Sequence, residues 1–169
     1  MSTNDSVAKS KLESTQTVIS FLRWYKANYE KIIQNQNILV NNAGSDDTTK
    51  TYSVNFSETD NYLILFKSSG YVSDFFLDDW RKYFAECEEY FKNNPQIDGP
   101  PDGFNFDLIL LTQEVEEILK AIDHLKVIEE EENDSAALVK VDIMMRFSFR
   151  LSKVNNKWLI DKIDNLGWE

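Results

Sequence analysis

Residues 137–151 read Ala137-Leu138-Val139-Lys140-Val141-Asp142-Ile143-Met144-Met145-Arg146-Phe147-Ser148-Phe149-Arg150-Leu151, with an apolar side chain at every odd position. Successive side chains of a β-strand point to opposite faces, so the odd positions share one face, while Lys140, Asp142, Arg146, Ser148 and Arg150 share the other. The run predicts a strand buried on one face only. It is far longer than the usual strand of about five or six residues, which predicts a bent sheet and a bulge.

Downstream, Lys153-Val154-Asn155-Asn156-Lys157 predicts a hairpin turn, because asparagine tolerates positive φ, and the chain from Trp158 to Ile163 then returns antiparallel. Upstream, Leu125 and Val127 lead into Glu129-Glu130-Glu131-Glu132-Asn133-Asp134, which reads as a charged turn. Residues 104–122 fit two patterns. Phe104, Phe106, Leu108 and Leu110 alternate like a strand, whereas Leu108, Leu111, Val115, Ile118 and Ile122 have helical spacing. The expectation is an irregular segment followed by a helix over 112–121.

The first half of the chain is helical. From Ser14, Val18, Phe21, Leu22, Tyr25, Tyr29, Ile32 and Ile33 recur at spacings of three and four. Ser57 and Asp60 suggest a capping box before a short helix that Gly70 stops. Ser73 can cap a third helix carrying Phe76, Trp80, Tyr83, Phe84, Cys87 and Phe91 on one face, closed by Pro95. All three prolines lie in the loop 94–103, and residues 1–13 form a polar leader expected to be mobile. Helices first and an antiparallel meander afterwards predict one α+β domain over 14–169, its helices packed on a curved sheet.

Composition narrows the function. The 169 residues carry a net charge of -11, which repels a phosphate backbone and makes nucleic acid an unsuitable partner. No stretch is apolar enough for a transmembrane segment. Residues 1–13 contain no apolar core of a secretory signal, which places the protein in the cytoplasm if Met1 is native; an exported or cell-envelope protein with its leader removed would look the same. One cysteine, Cys87, and one histidine, His124, rule out an internal disulfide and a thiolate metal cage and single out no Ser-His-Asp or Cys-His constellation. No metal or cofactor is expected. The acidic run 129–134 lacks the spaced ligands and turning glycine of a calcium loop. Asn55-Phe56-Ser57 and Asn133-Asp134-Ser135 match the glycosylation pattern, which needs a secretory context to matter.

The order of elements, the pair of long C-terminal strands and the ending Asn156-Lys157-Trp158-Leu159-Ile160-Asp161-Lys162-Ile163 resemble the nuclear transport factor 2-like superfamily. That superfamily shares a cone-like, cystatin-like form and includes ketosteroid isomerase. More narrowly, Trp24-Tyr25, Asp107 and Thr112-Gln113-Glu114 resemble a family of small bacterial domains of unknown function, often exported or lipid-anchored.

The superfamily resemblance implies a fold more than a function. A proton-transfer enzyme of the ketosteroid isomerase type needs an acidic base in an apolar pocket, with Tyr or protonated Asp donors for the oxyanion. The apolar face of 137–151 offers no acid, base or hydroxyl, and Asp142 and Asp161 fall on the other parity. The favoured reading is therefore a noncatalytic binding module for a small apolar molecule or a protein partner, with Trp24, Tyr25, Trp80, Tyr83, Phe147 and Trp158 as pocket residues. The stiffened loop 94–103 can present Ile97, Asp98 and Asp102 to a partner, as in an acidic interaction or immunity-type protein that neutralises a basic one. A homodimer is left open.

Overall fold

A computed structural model describes residues 12–168, so the leader lies outside the described residues up to position 11. Helix α1 (Glu13–Gln36) is followed by two short paired strands, β1 (Val40–Asn41) and β2 (Ser53–Val54), then by α2 (Phe56–Ser69) and α3 (Asp74–Asn93). After a long irregular connection come α4 (Val115–Ala121), a 3-10 turn (Ile122–His124) and four strands: β3 (Lys126–Glu132), β4 (Ala136–Ile143), β5 (Met145–Val154) and β6 (Lys157–Gly167). These four form an antiparallel sheet in the order β3-β4-β5-β6, which does not close into a barrel. The fold is α+β. No described helix is long and apolar enough to cross a membrane.

The stretch 137–151 is two strands rather than one. The chain reverses at Met144, whose φ is 65°, and Ile143 lies opposite Met145. Pairing runs from there through Val141↔Phe147 and Val139↔Phe149 to Ala137↔Leu151, so odd residues face odd residues. Antiparallel partners share a face. The reversal therefore preserves the alternation, and a tight hairpin is written in the same pattern as one long strand. Positive φ costs an L-residue about 1–2 kcal/mol, which glycine avoids at some cost in unfolded-state entropy. Met144→Gly is expected to raise stability by about 0.5 kcal/mol and Met144→Val to lower it by about 1 kcal/mol, read as urea midpoints. Equal midpoints for the two variants would contradict the turn assigned here.

The Asn155–Asn156 turn forms as expected, with φ of 50° and 65° and Val154 paired with Lys157. The acidic run differs. Glu129 to Glu132 continue β3 as an edge strand, and the reversal falls on 133–135, where the Asn133 side chain accepts from the backbone N–H of Ser135 and Ala136. The carboxylates are tolerated in the strand because they point into solvent or find partners. Glu129 pairs with Lys140 at 2.8 Å, while Glu130 and Glu132 accept from Thr15 and Ser14 at the start of α1. Charged side chains on an exposed edge also discourage pairing with another sheet.

The helices cover the odd face. Val139, Val141, Ile143, Phe147 and Phe149 are all buried against Val18, Phe21, Leu22 and Tyr25 of α1 and the aromatic residues of α2 and α3, in one continuous core. Asn55 rather than Ser57 caps α2, accepting from the Glu58 N–H, and Gly70 ends it with φ of 79°. Ser73 caps α3 as expected, accepting from the Phe76 N–H at 3.2 Å. In β6 the alternation breaks: Trp158 and Ile160 are buried, then Ile163, because Asp161 is an extra residue between the pairs Leu151↔Ile160 and Arg150↔Lys162. This is a bulge, and it lies at the site.

Candidate functional site

Helix α3 presents Phe76, Asp79, Trp80 and Tyr83 at spacings of three and four, so they form one stripe along its length. The stripe faces β6 across a half-open cleft of about 160 Å³, whose far wall is Asp161, Lys162, Ile163 and Asp164 and whose end is Ile109 and Leu111. Trp80 and Tyr83 meet edge to face at 5.1 Å, and Trp80 also touches Phe76 and Phe84. The Tyr83 hydroxyl donates to the Gly103 carbonyl at 2.7 Å, and burial pushes its pKa up, so it stays a neutral donor at physiological pH. A side chain at Gly103 would crowd the Tyr83 hydroxyl and the Cys87 sulfur, and its φ of 84° favours glycine as well.

The bulge aims Asp161 at the start of α3. Its Oδ1 accepts from Ser73 at 2.5 Å and from Ser152 at 3.0 Å, so one carboxylate ties the α3 cap to β5 and β6. Simple parity puts Asp161 away from the helices; the extra residue changes its direction.

A second polar cluster lies inside the core. Asp107 is only 4% exposed, and its Oδ2 accepts from the Tyr25 hydroxyl at 2.5 Å while Oδ1 accepts from the Leu110 N–H at 2.8 Å. Burial raises the Asp107 carboxyl above its ordinary range, with the Tyr25 hydrogen bond pulling the other way, and burial likewise raises Tyr25. The Tyr62 hydroxyl, also buried, has no hydrogen-bond partner among the described residues. Nearby, Gln36 donates to the Phe106 carbonyl and accepts from the Leu108 N–H. Together these groups replace the regular hydrogen bonds that 104–114 lacks. The segment is neither strand nor helix, and α4 starts only at Val115. Its polar backbone is paired by buried side chains, so Leu108, Ile109 and Leu110 can enter the core as a loop. Asp107 thereby holds the cleft wall made by Ile109 and Leu111.

Of the six pocket residues expected from sequence, Trp80 and Tyr83 line the cleft together. Tyr25 and Phe147 are fully buried in the core, and Trp158 is 2% exposed with Lys153 over its ring. Trp24 is half-buried against Phe21 and Phe66. The space over the sheet is thus filled by side chains, and the concavity lies to one side of it. In the loop 94–103, Ile97, Asp98 and Asp102 are exposed. Gln96 braces that loop, donating to the carbonyls of Asp98 and Pro100 and accepting from the Asp102 N–H. Cys87 is buried and its thiol pKa is raised by burial, while His124 is exposed at the end of the 3-10 turn.

Sequence reasoning did not reach Asp161, Ile163, Ile109 or Leu111 as site residues. The bulge leaves a readable trace, since Trp158, Ile160 and Ile163 cannot share a face of a regular strand. Nothing comparable marks Ile109 and Leu111. Among the described residues no group of three or more His, Cys, Asp or Glu side chains is placed to hold a metal ion. Compared with family models, curated proteins and solved structures, the chain gives no significant match in any of the three.

Proposed function

We propose that the protein is a noncatalytic binding module that takes a small, mainly apolar group into the cleft between α3 and β6. The observation that carries this reading is the pairing of two half-buried aromatic side chains, Trp80 and Tyr83, over a half-open concavity of about 160 Å³. Tyr and Trp that keep one face free offer a large apolar contact at low entropic cost. The volume suits one ring, since an apolar cavity of about 150 Å³ holds benzene.

Proton transfer is the alternative, and the buried Asp107 beside Tyr25 supports it. A general base needs a free lone pair within reach of substrate. Asp107 is 4% exposed and is not part of the cleft lining, and its bonds to Tyr25 and Leu110 favour a positioning role.

The test is a toluene titration followed by the indole N–H signals of 15N-labelled protein. Saturable movement of the Trp80 signal, with Trp158 unmoved and the movement lost in Tyr83→Ala, is the expected result. An unmoved Trp80 signal up to the solubility limit would overturn the proposal.

A further inference from the structure

The cleft floor is a free stretch of sheet edge, and this gives the ligand a chemical class. In a strand the N–H and C=O of one residue point to the same side, and the side alternates along the chain. The Asn155–Asn156 turn closes on the pair Val154↔Lys157, which turns the backbone groups of Lys157 and Leu159 toward β5 and those of Trp158 and Ile160 outward. Ile160 confirms the phase: its N–H donates to the Tyr71 carbonyl at 2.8 Å and its carbonyl accepts from the Ser73 N–H at 2.9 Å. Past the bulge, Lys162 and Asp164 lie opposite Arg150 and Ser148 and turn inward, so Ile163 turns its N–H and C=O to the outer edge.

No described strand covers that edge. The parallel bridge at Val72 ends where α3 begins, and residues 110–111 are tied to β6 at Asn165, whose side-chain amide donates to the Leu110 and Leu111 carbonyls at 3.1 and 3.3 Å. Between the two lies the cleft, with Ile163 in its lining. One backbone donor and one backbone acceptor are therefore presented side by side beneath Trp80 and Tyr83. Unpaired edge groups of this kind are what an added strand uses. With both ends closed and space for about one ring, an extended peptide does not fit, whereas a ring carrying its own adjacent N–H and C=O does. Asp79, Asp161 and Asp164 against Lys162 make the rim acidic, which disfavours anions.

Resting on the binding reading above, we infer that the cleft recognises a neutral six-membered cyclic amide, paired through its N–H and C=O to the backbone of Ile163 and packed against Trp80 and Tyr83. The experiment compares 2-pyridone, 4-pyridone and toluene by 15N NMR titration of the whole protein. The two pyridones are isomers, but only 2-pyridone holds donor and acceptor side by side. Expected is at least tenfold tighter binding of 2-pyridone than of 4-pyridone, with the Ile163 amide and Trp80 indole signals moving together and the Ile163 shift lost in Trp80→Ala. Equal affinities for all three probes at an unchanged Trp80 site would overturn the pairing while leaving the cleft as an apolar site. Silence of Trp80 toward all three would overturn the binding reading itself. Shifts that persist in Trp80→Ala would place the ligand elsewhere and sink the inference.

Discussion

Asp107→Ala is expected to destabilise the protein by about 3–5 kcal/mol, because it strands buried donors that have no access to water. The Tyr25 hydroxyl and the Leu110 N–H both lose their acceptor, and each unsatisfied buried group costs about 1–3 kcal/mol. For a chain of this size the melting temperature should fall by about 10 °C. The effect should also reach the cleft, since Ile109 and Leu111 hang on the turn that Asp107 organises. A loss below about 1 kcal/mol in urea unfolding would show that the buried carboxylate does not hold the segment.

The same residue sets a pH dependence with an unusual sign. Most native carboxylates have lowered pKa values and lose stability in acid. Asp107 is raised above 3.8 by burial, so the folded chain holds this proton to higher pH than the unfolded chain does. Its contribution is fully favourable below the unfolded value and declines as pH rises through the folded one. Asp107→Asn, which keeps an acceptor for the Leu110 N–H and cannot ionise, should remove that decline. The difference in stability between Asp107→Asn and the parent should therefore shift toward the variant as pH rises from about 4 to 8. Parallel profiles would show that Asp107 ionises alike in both states.

Much of the fold was legible because it depends on periodicity, and the exceptions show what periodicity omits. The burial of Val139, Val141, Phe147 and Phe149 follows from alternation alone, as do the faces of α1 and α3. The hairpin at Met144 was invisible because an antiparallel reversal with odd residues opposite odd residues leaves the alternation unchanged, and methionine gives no turn signal. At Asn155-Asn156 the residue type announces the turn, and it forms there. Glu129 to Glu132 read as a turn because charge resembles solvent exposure, yet an edge strand is also exposed. For the site, Trp80 and Tyr83 could be found from helical spacing. Their partners could not, because Ile109 and Leu111 are positioned by side-chain hydrogen bonds from Asp107, Gln36 and Asn165 that no local pattern encodes.

The difference between the two faces of the sheet supplies the second large effect. Phe149 is fully buried, stands opposite Val139 and Ile163, and adjoins Arg150, which is exposed on the other face. Phe149→Ala removes a ring from a close-packed core that relaxes only partly around the gap, at a cost of about 3–5 kcal/mol. Arg150→Ala removes a solvated side chain, and surface substitutions of this kind stay within about 0.5 kcal/mol. Neighbouring residues in one strand should thus differ by about 3 kcal/mol or more in urea unfolding. If 137–151 were instead a flat strand covered on both faces, the two losses would be comparable. Only a sheet with helices on the odd face and solvent at Arg150 on the even one separates them. Phe147→Ala tests whether the reversal at Met144 keeps the parity, because Phe147 pairs with Val141 across the hairpin and should lose as much as Phe149→Ala. A small loss at Phe147 together with a large one at Arg146 would mean that β5 is shifted by one residue against β4, which would move every side chain of the strand to the opposite face.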